Sequence, residues 1–156
     1  MNRASEQRLQ TVHPELATRV RSVIAALAKQ GYTIEVVQGL RTFAEQDALF
    51  AQGRTKPGQI VTRAKGGQSN HNYGAACDLA PFKDGKPDWN DAKAFALIGS
   101  EAKKQGLEWG GDFRTPDRPH VQLPAPPYAR LLSLYKGGGL PLVWSALELH
   151  LQKRAK

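Results

Sequence analysis

One segment constrains the possible folds of this chain more than any other: SNHNYGAACDLAPF, which runs from Ser69 to Phe82. It places His71 seven residues before Asp78, with a glycine and two alanines at positions 74 to 76. The AACDLA end predicts a buried strand. Because the residues before it are small, the preceding loop can fold back against a sheet. The segment therefore predicts that both side chains face one cleft.

The rest of the chain predicts a mixed α and β domain without internal repeats. Pro14 suits a first helical turn and Gly31 suits a helix end. Five apolar residues between them recur at helical spacing: Leu16, Val20, Val23, Ile24 and Leu27. The β-branched and aromatic residues 32–37 predict a strand. A second helix follows, in which Thr42 and Glu45 have the spacing of a capping box.

The second half of the chain predicts one more core helix and several short elements. This third helix has Asp88 and Asn90 as candidate N-caps and Gly106 as its C-terminal stop. Residues 107–113 and 119–123 predict short extended pieces. A short helix that ends in a run of glycines comes after them.

Composition narrows the classes of protein to which the chain can belong. Its length of 156 residues suits one domain with a sizeable core. The single cysteine, Cys77, excludes an intramolecular disulfide. Since no segment has the pattern of a signal peptide or a membrane span, we expect a soluble protein made in the cytoplasm. The net charge of +8 favours a polyanionic partner, either nucleic acid or an anionic cell envelope.

A further pair of candidate site residues lies in the segment DRPH. His120 begins a predicted strand and Asp117 lies three residues before it. Two histidines and one aspartate (His71, His120, Asp78) match the ligands of a tetrahedral zinc whose fourth position is left to water. Asp117 could reach that water as a general base without binding the metal. Each residue alone also fits an ordinary turn or core position, and their coincidence at strand ends favours the metal site.

These segments resemble a known family. SNHNYGAACDLAPF and WGGDFRTPDRPHVQL, preceded by GLRTFAEQDALFAQGRT, are similar to the zinc peptidoglycan peptidases. That family includes D-alanyl-D-alanine carboxypeptidases and the L-alanyl-D-glutamate endopeptidases of phage endolysins. The resemblance covers residues 36–123, and the family pattern SxHxxGxAxD is complete in Ser69, His71, Gly74, Ala76 and Asp78. It implies an α+β fold with a small antiparallel sheet flanked by helices and a zinc site in a cleft at the sheet.

The resemblance also implies a role for each site residue. The implied zinc ligands are His71, Asp78 and His120. Asp117 matches the catalytic acid/base, which takes a proton from the attacking water and passes it to the departing amine. Arg41 matches the arginine that stabilises the oxyanion together with the zinc. Ser69 matches a residue near the substrate.

Three functions remain open at this point. The first is an endopeptidase that cuts the L-alanyl-D-glutamate bond of peptidoglycan stem peptides. It would act as a monomeric phage or prophage endolysin, held in the host cytoplasm without a signal peptide until it reaches the periplasm or cell wall. The second is a D-alanyl-D-alanine carboxypeptidase, which normally needs an export signal. The third is an inactive zinc-bearing module that binds the cell wall, which would not need Asp117. Nucleic-acid binding is not expected, because no basic helix motif or array of stacking aromatic residues is present.

The expected domain organisation is a zinc peptidase catalytic domain, residues 1–137, followed by a C-terminal amphipathic tail, residues 138–156. Apolar residues of the tail recur at helical spacing: Leu140, Val143, Trp144, Leu147 and Leu151. The basic residues beside them are Lys153, Arg154 and Lys156. This pattern predicts a helix that either rests on an anionic envelope or membrane surface or docks on the domain.

Overall fold

The structure, a computed structural model, describes all 156 residues. The helices are α1 (Arg3–Leu9), α2 (Pro14–Ala28), α3 (Phe43–Ala51), α4 (Ala92–Lys104) and α5 (Tyr128–Ala155), with the 3-10 helices η1 (Asn70–Tyr73) and η2 (Gly110–Asp112). The strands are β1 (Ile34–Gln38), β2 (Ala76–Lys83), β3 (Lys86–Pro87), β4 (Glu108–Trp109) and β5 (His120–Gln122). The sheet has the order β1-β2-β5-β4, with β3 paired to β2, and every pairing is antiparallel. The predicted α+β class and small antiparallel sheet are confirmed.

The residues form two compact units, Met1–Gly39 with Ala75–Pro124 and Leu40–Gly74 with Ala125–Lys156. The first unit contains the sheet with α1, α2 and α4, and the second contains α3, η1 and α5. A membrane-spanning helix would need a longer apolar stretch than any helix of this structure provides. The predicted boundary between a catalytic domain and a tail stays a prediction.

The core of the first unit is built from the apolar stripes that the sequence predicts. Helix α2 begins at Pro14 after the N-cap His13, and its buried residues include Leu16, Val20, Val23, Ile24 and Leu27. Helix α4 buries Phe95, Ile98 and Ala102, and the sheet buries Ile34, Val36, Leu79 and Val121. Burying one such aliphatic or aromatic side chain contributes about 1.5–3 kcal/mol. This core supports β2 and β5, the two strands that carry Asp78 and His120.

Helix α1 was not predicted from the sequence, because its residues are mostly polar and the helix has only 7 residues. Its stability comes from tertiary contacts. Asn2 caps the helix by accepting the Ser5 N–H at 2.8 Å. The Ser5 hydroxyl and the Asn2 N–H both donate to the buried carboxylate of Glu35 on β1. Leu9 adds a fully buried apolar side chain at the end of the helix.

The predicted N-caps of α4 are wrong by one to three residues. Asp91 is the cap, and its carboxylate accepts the Ala94 N–H at 2.9 Å. Asp88 instead accepts the Asn90 N–H at 3.1 Å, which forms a turn before the helix. In the same unit, β1 begins at Ile34, two residues later than predicted.

An aromatic cluster joins the elements of the second unit. The buried ring of Tyr73 on η1 lies 5.8 Å from the ring of Phe43 and 6.3 Å from the ring of Tyr135, measured between centroids. Helix α3 starts after Thr42, whose hydroxyl accepts the Glu45 N–H at 3.0 Å, so the predicted Thr42 cap is confirmed. The cluster therefore ties α3 and α5 to the short helix on which His71 lies.

Helix α5 is interrupted at glycines 138–139, where the backbone is not helical, and its second half packs inward. Val143 and Leu147 are fully buried. The indole N–H of Trp144 donates to the carbonyl of Tyr73 at 2.9 Å. Of the two alternatives for the tail, the structure shows the docked helix. Contact of its basic end with an anionic envelope stays a prediction.

The Leu147→Ala change is expected to lower the free energy of unfolding by about 2–4 kcal/mol, because it removes a buried side chain and leaves a cavity. Denaturation by urea measures this change. Leu149 is 58% exposed, so Leu149→Ala is a matched control that should shift stability by less than about 0.5 kcal/mol. Equal stability of the two variants would show that the tail contributes nothing to the folded core.

Candidate metal site

Two of the predicted ligands lie on neighbouring strands. Asp78 on β2 and His120 on β5 are directly paired in the antiparallel register, so their side chains share one face of the sheet. The carboxylate Oδ1 of Asp78 lies 3.6 Å from Nδ1 of His120. The next pair, Cys77 and Val121, is fully buried on the opposite face. Strand alternation thus separates the core from the site.

The third predicted ligand, His71, lies on the 3-10 helix η1 and not in the loop that the sequence predicts. Ser69 caps this helix, and its hydroxyl accepts the His71 N–H at 3.3 Å. Asn72 completes a capping box with Ser69. Gly74 ends the helix with a left-handed backbone, φ 65°, which favours glycine. The glycine in SNHNYGAACD is therefore required for the turn that leads from His71 into β2.

One potential ligand atom from each of His71, Asp78 and His120 lies within 4.8 Å of the other two. Ligand atoms about 2.1 Å from a tetrahedral zinc are separated by about 3.4 Å, and the 3.6 Å between His120 and Asp78 is close to this value. Two imidazoles and one carboxylate are a donor set that suits zinc. The structure brings the three predicted residues together, and their chemistry fits the metal. Their assignment as ligands stays a prediction.

The other ring nitrogen of His120 has a partner that sequence reasoning missed. Nε2 of His120 lies 2.7 Å from Oε1 of Gln122, and Nε2 of Gln122 donates to the carboxylate of Glu108 at 2.8 Å. With Nε2 donating to Gln122, Nδ1 is the nitrogen that faces Asp78. Burial lowers the pKa of His120, but the hydrogen bonds and charges of Asp78, Gln122 and Asp117 raise it by more, so a proton and a metal ion compete for Nδ1.

The Gln122→Leu change is expected to weaken zinc binding by about 10- to 100-fold, because the His120 ring loses the acceptor that orients it. Competition with a chromophoric chelator measures the zinc dissociation constant directly. Gln59 is exposed, so Gln59→Leu is the control for the same substitution away from the site. Unchanged affinity in the Gln122 variant would mean that the strand alone holds the imidazole.

Asp117 lies close to His120 but is not one of the three clustered residues. Its Oδ2 is 3.9 Å from Nδ1 of His120, and 56% of its side chain is exposed. Its backbone N–H donates to the carbonyl of Gly110 at 2.8 Å, which places the residue in the turn before β5. This position beside the candidate metal site is compatible with a proton-transfer role.

Arg41 is held beside the helix on which His71 lies. Its backbone N–H donates to the carbonyl of His71 at 3.0 Å. Its guanidinium donates to Oε1 of Gln46 at 2.9 Å, and the amide of Gln46 donates to the carbonyl of Ala64 at 2.8 Å. Gln46 is completely buried. The arginine is therefore oriented by a polar residue that the sequence analysis did not single out.

Gln46, Asn72 and Gln122 are the supporting residues that sequence reasoning missed. Asn72 accepts the Gly67 N–H at 3.0 Å and donates to the carbonyl of Arg41 at 3.0 Å. One signal was available for Gln122, because residues two apart on a strand share a face. No local pattern singles out Gln46 or Asn72 among other polar residues.

Residues 62–123 match a protein family described as D-alanyl-D-alanine carboxypeptidase. The chain is 41% identical over 122 residues to the peptidoglycan L-alanyl-D-glutamate endopeptidase CwlK of Bacillus subtilis (strain 168), covering 72% of this chain and 73% of CwlK. It is 36% identical over 110 residues to the L-alanyl-D-glutamate peptidase of Escherichia phage T5, covering 70% of this chain and 74% of the phage protein.

A solved structure shows the same fold. The L-Ala D-Glu endopeptidase ChiX of Serratia marcescens matches this chain with a TM-score of 0.61 and 27% identity, over 80% of this chain and 89% of that chain. The family match over residues 62–123 includes all three clustered residues and Asp117, whereas Arg41 lies outside it.

Proposed function

The chain belongs to the peptidase M15 family of D-alanyl-D-alanine carboxypeptidases and L-alanyl-D-glutamate endopeptidases, and from this premise we propose that it is a zinc endopeptidase of peptidoglycan. The bond cleaved is the one between L-alanine and D-glutamate in the stem peptides. The observation that carries this proposal is the 41% identity with CwlK, an enzyme of that specificity. The cluster of His71, Asp78 and His120 supplies the site that such an activity requires.

In this proposal, metal binding, proton transfer, oxyanion stabilisation and substrate contact are carried out by different residues of this chain. His71, Asp78 and His120 would hold the zinc, which when bound acidifies water and polarises a carbonyl. The exposed carboxylate of Asp117 takes the proton of the attacking water and then delivers it to the departing amine. The guanidinium of Arg41 donates to the developing oxyanion. Ser69 caps the helix that carries His71, and we assign to it a contact with the substrate.

Digestion of purified peptidoglycan tests the specificity. Mass spectrometry of the products should reveal a new amino terminus on D-glutamate. Release of free D-alanine alone would instead establish the second candidate, a D-alanyl-D-alanine carboxypeptidase. That alternative is favoured by one observation, the description of the family that matches residues 62–123. The two activities leave different products, so one digestion separates them.

We also propose that the protein serves as a phage or prophage endolysin, which acts after it passes from the host cytoplasm to the wall. The similarity to the peptidase of Escherichia phage T5 supports this role. Bacteria that produce the protein should lyse only after their inner membrane is permeabilised. The Asp117→Asn variant is the control for lysis caused by permeabilisation itself. Lysis of producing cells with an intact membrane would contradict the proposal.

A further inference from the structure

The turn that carries Asp117 is held at its backbone on both sides. The N–H of Asp117 donates to the carbonyl of Gly110 at 2.8 Å, and the carbonyl of Pro119 accepts the N–H of Leu79 on β2 at 2.8 Å. A Cβ on Gly110 would lie 2.3 Å from the carbonyl oxygen of Asp117, so this approach requires glycine. These contacts fix the backbone of the turn at residues 117 and 119. The residue between them, Arg118, has a different hydrogen-bond partner.

That partner is a side chain. The indole N–H of Trp109 on β4 donates to the carbonyl of Arg118 at 2.8 Å. The indole ring packs directly against two glycines, Gly99 and Gly111. A Cβ added to either glycine would lie 2.3 Å from ring atoms. The ring therefore has little freedom to move, and the direction of its N–H is set by α4 and η2.

We propose that Trp109 is a positioning residue for Asp117. Its hydrogen bond to Arg118 adds a third anchor, so three successive residues of the turn are each held by a separate hydrogen bond. The carboxylate of Asp117 is 56% exposed, so the backbone of the turn determines where this group lies relative to His120. This inference rests on the proposed role of Asp117 as the acid/base.

The Trp109→Phe change tests the proposal, because it keeps an aromatic ring packed at this position and removes the N–H donor. The expected result is a fall in kcat of about 10- to 100-fold, as for a small displacement of a reacting group. KM should stay unchanged, and zinc content should stay at the level of the unaltered protein. Trp89 is 53% exposed and stacks on Phe95, so Trp89→Phe is the matched control with unchanged kcat.

A double variant separates positioning from a general structural role. If Trp109 acts through Asp117, adding Trp109→Phe to Asp117→Asn should cause no further loss of the residual activity. The proposal would be overturned if Trp109→Phe lowered the activity of the Asp117→Asn protein by the same factor as it lowers that of the unaltered protein. A loss of zinc from the Trp109→Phe protein would also overturn it. If Trp109→Phe does not fold, replacement of Trp109 by 3-benzothienylalanine keeps the bicyclic ring and removes only the donor. A wild-type kcat in that protein would refute the proposal.

The activities of the Asp117→Asn and Trp109→Phe proteins together separate a failure of the positioning role from a failure of the acid/base role. Full activity of Asp117→Asn would remove the acid/base assignment and this inference with it. An inactive Asp117→Asn protein together with a fully active Trp109→Phe protein would leave the acid/base assignment intact and refute the positioning role alone.

Discussion

The Asp117→Asn protein is expected to bind about one zinc ion per chain, like the unaltered protein, and to lose peptidoglycan hydrolysis by a factor of about 100 to 10,000. The amide keeps the shape of the side chain but cannot accept a proton at neutral pH. The carboxylate is outside the cluster of potential ligands, so its loss should leave metal binding intact. Metal analysis and the clearing of a peptidoglycan suspension measure the two properties on the same sample.

The matched comparison is His120→Ala, which removes a proposed ligand. Zinc affinity and activity should fall together in this variant. Its melting temperature in the presence of zinc should also fall, because metal that binds the folded state stabilises it. A zinc-free Asp117→Asn protein would make Asp117 a ligand. A fully active one would show that the motif carries no acid/base chemistry.

The Arg41→Lys change is expected to lower kcat/KM about 100-fold, as for the loss of one oxyanion donor. Lysine keeps the charge but lacks the planar set of donors that a guanidinium presents. Lysine also cannot reproduce the hydrogen bond from the guanidinium of Arg41 to Oε1 of Gln46. The buried Gln46 would then no longer orient the positive charge. Steady-state kinetics on a defined muropeptide measure the effect.

Arg54→Lys is the control for this substitution. Arg54 lies on the face of the Phe50 ring in the same unit and has no proposed role in the reaction. Its replacement should leave kcat/KM unchanged. Unchanged kinetics in the Arg41 variant as well would mean that Arg41 is held for structure and does not contact the oxyanion.

Much of the fold could be predicted because its signals are local. Helix α2 follows from one apolar stripe between Pro14 and Gly31, and the Thr42 cap follows from a four-residue pattern. The strand AACDLA follows from its buried composition. Such signals depend on neighbours in the chain, which the sequence displays directly.

The candidate site could be predicted in part. The spacing of His71 and Asp78 and the position of His120 at the start of a strand indicated that the three would meet. The structure brings one potential ligand atom of each within 4.8 Å of the other two. The register that opposes Asp78 to His120 was not predictable from either segment, because it is set by the pairing of β2 with β5.

The sequence by itself determined the family, the main core elements and the three residues that the structure clusters as a candidate metal site. Only the tertiary structure decided which polar groups support them. Gln46 reaches Arg41 and Ala64, Trp109 reaches the turn at Arg118, and α1 forms against a carboxylate about 30 residues away along the chain. A polar side chain offers the same donors and acceptors wherever it lies. Its partner is chosen by helix packing and strand register, which exist only once the chain has folded.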